Sequence, residues 1–162
     1  MNSLKVFEEH IKFLTSLFKN YRGILEEKES LIIKGDYEAL SELVPREESL
    51  VMELDQAEAL REQYALDLCA ELSIPRTSSI SEIAESLGQE KGTKLMIIIA
   101  RLMECLQEIS LLHFNIDKMI GFQLKNIKLL QDTAVGQDRI NTYDVKGNYR
   151  PDNQKKLFKG QG

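Results

Sequence analysis

Two histidines and two cysteines are the side chains of this sequence best suited to act as general bases, nucleophiles or metal ligands. His10 and His113 lie far apart in the sequence, and so do Cys69 and Cys105, with no CxxC pair and no cluster of His and Cys. Each of the four lies within an apolar helical pattern, which favours packed imidazoles and buried, reduced thiols over a catalytic base, a disulfide or a metal site. The sequence therefore predicts no metal and no cofactor.

The motifs that carry common enzyme chemistry are also absent from the sequence. It has no Gly-rich phosphate loop, no HExxH, no GxSxG and no EF-hand spacing. Acidic runs such as EEKE at 26–29 and REE at 46–48 alternate with cations at helical spacing, which is typical of a solvated helix face with weak ion pairs. We therefore predict that the protein is not an enzyme.

The composition indicates a single domain made of helices. The chain has 162 residues, only 3 prolines and 9 glycines, and no tryptophan. Helix-forming residues such as Leu, Glu, Lys and Ala predominate, and the length suits one domain with a modest core. An all-α fold follows.

The first predicted helix begins at Leu4 and continues for about 30 residues. Eight of the nine positions that follow a strict 3-4 spacing are apolar, with Lys28 as the exception. A second apolar set widens this stripe, as expected for a helix that packs against more than one neighbour. The eight apolar positions are Leu4, Phe7, Ile11, Leu14, Phe18, Tyr21, Leu25 and Ile32.

A second long helix is predicted from Tyr37 to Leu72. Gly35 supplies a stop for the first helix, and Asp36 is an N-cap residue for the second. Pro45 lies inside the second helix and predicts a kink there, with a complete break as the alternative. The predicted inward positions are Tyr37, Leu40, Val44, Val51, Leu54, Ala65, Leu68 and Leu72.

A linker, a short helix and a third long helix follow. SIPRTSS, residues 73–79, is the linker, and Ser79 with Glu82 has the spacing of a capping box that opens a short helix ended by Gly88. From position 95 to 130, nine of eleven positions at 3-4 spacing are apolar, which predicts a helix of about 40 residues. Gly136 is predicted to end it.

Together these elements predict an elongated antiparallel bundle of three long helices with one short helix and a C-terminal tail. Residues 1–135 form the predicted helical bundle domain, and residues 136–162 form a flexible tail. The tail has too few apolar side chains to offset a backbone ordering cost of roughly 1 to 2 kcal/mol per residue.

The charges of the sequence limit the kinds of partner it could bind. Residues 136–162 contain six cations and three acids, whereas the rest of the chain contains 15 cations and 23 acids. Since an acidic body repels phosphate, nucleic acid is not expected as the main partner. The N-terminus has no secretion signal and the longest strongly apolar run is Leu95–Ala100, so we expect a cytoplasmic protein without membrane insertion.

Residue pattern alone leaves two functions open. Three long helices offer more apolar surface than a thin bundle can cover, and such surface is suited to holding another helix or an extended peptide. Alternatively, the excess apolar surface is buried between two copies of the chain, and the protein is a structural coiled-coil homodimer or a scaffolding protein.

A stretch of the sequence from Leu25 to Gln63 resembles the flagellar export chaperones of the FlgN type. The similarity lies in a Gly-Asp step between two helices, a charged pair beside leucines, and a late arginine. TYDVKG, residues 142–147, is similar to the Tyr-Asp-x-x-Gly signature near the C-terminus of that family, and Asn115 matches an asparagine that its members often carry in the last helix. The residues that carry the first similarity are Gly35, Asp36, Leu40, Glu47, Glu48, Leu50, Leu54 and Arg61.

The resemblance implies a cytoplasmic chaperone of flagellar type III export. Such a protein binds the C-terminal helical segments of hook-associated proteins, which form the hook-filament junction, keeps them soluble and delivers them to the export apparatus. In this family the C-terminal region recognises the client, and here Tyr143 would supply a rigid anchor and Gly147 a backbone turn. The expected client-facing residues are Ile116, Ile120, Leu124, Ile127, Ile140, Tyr143 and Gly147.

Overall fold

The computed structural model describes residues 2–142, with side chains up to residue 134, and within that range the chain is all-α. Three long helices and one short helix are present and no strand occurs among these residues, which confirms the predicted element types. Tyr143 and Gly147 lie outside the described residues. The helices are α1 (Asn2–Lys34), α2 (Tyr37–Leu72), α3 (Ile80–Leu87) and α4 (Gln89–Thr142).

The turn between α1 and α2 forms as its residue types predict. Gly35 has a φ of +71°, a left-handed conformation that side-chain-bearing residues rarely adopt, and it ends α1. The Asp36 side chain accepts a hydrogen bond of 3.1 Å from the Ala39 amide and so caps α2. Both predicted roles are confirmed.

The second helix is continuous through Pro45, so the alternative of a complete break is wrong. Proline lacks an amide hydrogen, and the Ser41 carbonyl four residues earlier therefore loses its helical donor. The helix nevertheless packs on both sides of Pro45. Leu43 is buried before it, and Glu47 Oε1 after it forms an ion pair of 3.1 Å with Lys28 Nζ.

The inward face of α2 differs from part of the predicted one. Val44 and Val51 are exposed, whereas Leu43 and Leu54 are buried and Leu50 packs against the core. A 3-4 spacing that starts at Leu43 joins these residues, and it passes through positions where the polar side chains are half-buried. The two sets share Leu54 but differ by one residue at Leu43 and Val44 and again at Leu50 and Val51, and only the leucine of each pair is turned inward.

The start and the end of α3 are capped by the predicted residues, whereas the residue that caps the end of α2 was not predicted. Ser73 adopts a left-handed conformation with a φ of 58° and ends α2. The Ser79 hydroxyl accepts a hydrogen bond of 3.2 Å from the Glu82 amide at the start of α3, and Gly88 ends this helix with a φ of +87°. The predicted short helix is confirmed.

The last helix is longer than predicted. It begins at Gln89 and runs to Thr142, past Gly136, where the sequence predicted its end. A single glycine inside a helix costs only about 1 kcal/mol relative to alanine, and the residues on both sides of Gly136 are compatible with helix. The predicted division into residues 1–135 and 136–162 stays a prediction.

Contacts divide the chain into two compact units, Met1–Ile116 and Asp117–Gly162. We call them the N-terminal unit and the C-terminal unit. All of α1, α2 and α3 belongs to the first, and the described part of the second consists of α4 residues 117–142.

The N-terminal unit has one main apolar core to which all four helices contribute. Half of the predicted apolar stripe of α1 is buried there, and so is Cys69, while Cys105 is buried elsewhere in the same unit. The buried core residues are Leu4, Phe7, Ile11, Leu14, Leu17, Leu54, Ala57, Leu68, Cys69, Ile83, Leu95, Ile98 and Leu102.

Candidate partner-binding surface

The described part of the C-terminal unit is a helix that exposes large apolar side chains. Between residues 117 and 134 six such side chains are exposed, and five of them are at least 49% accessible to solvent. We call these six residues the apolar surface of α4. They are Ile120 (37%), Phe122 (65%), Leu124 (61%), Ile127 (49%), Leu129 (63%) and Leu130 (70%).

Helical geometry separates this surface into two sides. At about 100° per residue, Ile120, Leu124 and Ile127 follow a 3-4 spacing and share one side. Phe122 and Leu129 are seven residues apart and lie on the opposite side, about 180° away. An amphipathic surface helix normally has one apolar side, so this segment presents more apolar area than a single neighbour would cover.

The energy available from covering this surface is large relative to the stability of a small domain. Full burial of one Leu, Ile or Phe side chain contributes about 1.5 to 3 kcal/mol. Burial of Ile120, Leu124 and Ile127 by a partner could therefore contribute several kcal/mol before the entropy of association is subtracted. Contiguous exposed apolar patches of this kind mark interaction sites in proteins.

Three of the seven residues expected to face a client lie on this surface, namely Ile120, Leu124 and Ile127. Ile116 is only 3% exposed and belongs to the interior of the N-terminal unit. The backbone of Ile140 lies in α4, but its side chain is not among those described. The structure therefore brings three of the predicted residues together on one exposed side of a helix.

Sequence reasoning missed the opposite side of the helix. Phe122 and Leu129 are one heptad apart, but they lie outside the 3-4 series that begins at Leu95. A search for a second heptad series in α4, offset by about 180° from the first, would have found them.

A groove between α3 and the start of α4 is a second apolar feature that the sequence analysis did not place. It has a volume of about 800 Å³ and is lined by residues that include Ala84, Met96, Ile97 and Ala100. α3 and α4 approach closely at Gly92, where a Cβ atom would lie 3.0 Å from the Ala84 carbonyl carbon and closer still to its oxygen. Within the apolar run at 95–100, Leu95 and Ile98 thus face the core, whereas Met96 and Ile97 line this groove.

A smaller cavity of about 400 Å³ is lined by residues from all four helices of the N-terminal unit. Phe7, Ile11 and Leu102 belong to its lining, and so does an ion pair in which Arg61 Nε donates to Glu58 Oε1 at 2.6 Å. Its walls are mainly core side chains, and the pattern of its lining does not indicate a catalytic site.

The histidines occupy structural positions, as predicted. His10 is buried and its Nε2 donates to the Ala57 carbonyl oxygen at 2.7 Å, with the Tyr64 ring in an edge-on contact at 5.0 Å. His113 Nε2 lies 3.1 Å from the Tyr21 hydroxyl. Each imidazole thus connects two helices of the N-terminal unit.

Burial is the main cause of a raised pKa at two groups of the N-terminal unit. Burial raises the pKa of Tyr21 above its usual 10.0, and the negative charge of Glu47 raises it further. Burial also raises the pKa of the Cys105 thiol above 9.0, which keeps it in the less reactive thiol form. Neither shift creates a nucleophile or a base that works near neutral pH.

The described residues show neither a metal-binding cluster nor a membrane-spanning helix. No group of three or more His, Cys, Asp or Glu side chains among residues 2–134 could hold a metal ion. None of the helices in that part of the chain is both long and apolar enough to span a bilayer.

Comparison with known proteins gives one match. Residues 1–151 match a family model described as FlgN protein. No curated protein and no solved structure matches the chain significantly.

Proposed function

The chain belongs to the FlgN family of flagellar export chaperones, and from this premise we propose that it binds the C-terminal helical segments of hook-associated proteins in the cytoplasm. The observation that carries the proposal is the exposed apolar surface of α4. A client helix that lies along Ile120, Leu124 and Ile127 would cover three apolar side chains at helical spacing.

Binding of this kind explains how a chaperone keeps its client soluble. An isolated amphipathic segment exposes its own apolar side and tends to associate with other copies. Pairing that side with the apolar surface of α4 removes both from water, and the favourable free energy of this burial stabilises the complex. Ile140, Tyr143 and Gly147 are proposed to extend this contact beyond the described residues.

Delivery to the export apparatus requires that the complex also dissociate. A surface confined to one helix buries less apolar area than an obligate interface, which suits a transient complex. We propose that the client is released at the export apparatus, where contacts with the apparatus replace this limited contact with α4.

We also propose that the long helices of the N-terminal unit form an antiparallel bundle. Three contacts between α1 and α2 support this: Ser3 with Glu71, His10 with Ala57 and Lys28 with Glu47, so residue numbers fall on α2 as they rise on α1. Contacts of α1 with α4 support a common direction for that pair, since Glu8 contacts Lys94 and Arg22 contacts Glu108.

Calorimetry with a purified hook-associated protein tests the proposed function. We expect the full chain to bind the client's C-terminal segment with a micromolar or lower Kd. A variant with Ile120→Gln, Leu124→Gln and Ile127→Gln should bind at least about a hundredfold more weakly, because three apolar contacts are lost while helix propensity is kept.

A matched control uses apolar residues exposed elsewhere. Met52 and Leu60 lie on α2, are 64% and 47% exposed, and are replaced by Gln in the control variant. The control should bind like the unmodified chain. The proposal fails if the unmodified chain gives no heat at micromolar concentrations, or if the control loses as much affinity as the α4 variant.

The alternative of a structural homodimer predicts different results. In that case the apolar surface of α4 pairs with a second copy, and removal of residues 136–162 leaves assembly and function intact. Sedimentation of the full chain and of this truncated chain, each with and without the client segment, distinguishes the two, because a chaperone should lose client binding on truncation.

A further inference from the structure

The net charge of this chain changes sign at the boundary between its two units. Residues 1–116 contain 12 cations and 21 acids, whereas residues 117–162 contain nine cations and five acids. The apolar surface of α4 therefore belongs to the positive part of a chain whose net charge is -5.

Two lysines stand directly beside the exposed apolar side chains. Lys128 lies one helical turn after Leu124, and Lys125 lies within one turn of both Phe122 and Leu129. Both lysines are exposed, and neither forms an ion pair with another residue in the described part of the chain. Their charges are available to a molecule that covers the neighbouring apolar side chains.

The acidic N-terminal unit strengthens the effect of these lysines. A negatively charged partner is repelled by residues 1–116 as a whole and attracted to the C-terminal unit, so long-range electrostatics would direct it to this surface. A positively charged helix with the same apolar residues would experience the opposite field.

We propose that the partner of the apolar surface of α4 is an amphipathic helix with acidic side chains next to its apolar ones, selected by Lys125 and Lys128. The proposal rests on the proposed function in that it concerns the same surface, and it adds the charge that a client segment must carry. An anionic membrane is the other surface that a basic, apolar helix could bind. It is disfavoured because the chain as a whole has a net charge of -5, so an extended anionic surface would repel it.

Three synthetic peptides test the proposal with the full chain. They share one length and one apolar heptad pattern, and the positions that flank the apolar side carry Glu in the first, Gln in the second and Lys in the third. At low salt we expect the Glu peptide to bind about tenfold more tightly than the Gln peptide and the Lys peptide to bind most weakly. The differences should shrink at about 0.5 M salt, where such ion pairs are screened.

Charge reversal identifies the residues responsible. A chain with K125E and K128E should prefer the Lys peptide over the Glu peptide. The matched control carries K5E and K91E, which change the net charge equally at exposed positions of the N-terminal unit, and it should keep the original preference.

The proposal is overturned if the Glu and Gln peptides bind equally, if no peptide binds while vesicles rich in phosphatidylglycerol do, or if the control variant loses the preference too. Its failure is distinguishable from failure of the proposed function. If a hook-associated segment binds but the peptides show no charge preference, only this inference fails. If the charge preference holds but no hook-associated segment binds, the assignment of the client fails and the selectivity stands.

Discussion

At the scale of single residues, polar side chains connect the helices of the N-terminal unit. The Tyr21 hydroxyl contacts His113, and Glu47, which accepts a hydrogen bond of 3.1 Å from Lys28, adds a negative charge near that hydroxyl. The sequence predicted that Tyr21 and His113 lie in the helical seams, because both follow the apolar spacing. It could not predict that they contact each other, because spacing along one helix does not fix the rotation of its neighbour.

The raised pKa of Tyr21 makes stability depend on pH in the alkaline range. The folded chain holds the phenolic proton more tightly than the unfolded chain, so this contribution to stability is complete below pH 10 and is lost as the pH rises further. We expect the free energy of unfolding in urea to fall less steeply between about pH 9.5 and pH 11 in Tyr21→Phe than in the unmodified chain. Tyr37→Phe, at an exposed tyrosine, should behave like the unmodified chain. Equal slopes for Tyr21→Phe and the unmodified chain would contradict this account.

At the scale of elements, the sequence predicts a helix well where one apolar series dominates and less well where two compete. The stripe of α1 was predicted correctly because eight of its nine positions are apolar. In α2, the series that contains Leu43 and the series that contains Val44 are similar in strength, and only contact with α1 decides between them. The C-terminal end of α4 was placed too early because one glycine was treated as a stop.

The packing of α3 against α4 gives a prediction about glycine. Gly92→Ala should lower the free energy of unfolding by about 1 to 3 kcal/mol, because the new Cβ overlaps the Ala84 carbonyl group and must push the helices apart. Gly23→Ala, inside α1 with nothing within 4 Å of its Cβ position, should instead raise it by about 0.5 to 1 kcal/mol. Urea denaturation followed by circular dichroism measures both. A stabilising Gly92→Ala would show that α3 does not pack closely on α4.

At the scale of the whole molecule, the two units differ in the sign of their charge and in the apolar surface that they expose. The N-terminal unit buries His10 and both cysteines, and the described part of the C-terminal unit is a helix with apolar residues on two sides. Ile120, Leu124 and Ile127 were expected to face a client because of the resemblance to the FlgN family. Their spacing alone could not show that they are exposed, because a periodic apolar stripe looks the same in sequence whether or not the chain covers it. The function proposed for this family member depends on that exposure.

Amide hydrogen exchange of the full chain, with and without a hook-associated C-terminal segment, tests this central claim most directly. In the free chain we expect amides of residues 117–134 to exchange faster than those of residues 4–25, since most side chains of this segment are exposed. On addition of the segment, exchange in 117–134 should slow by at least about tenfold while exchange in 4–25 stays unchanged. If residues 117–134 are already as protected as α1 in the free monomer, or if the segment protects another part of the chain instead, the account is contradicted.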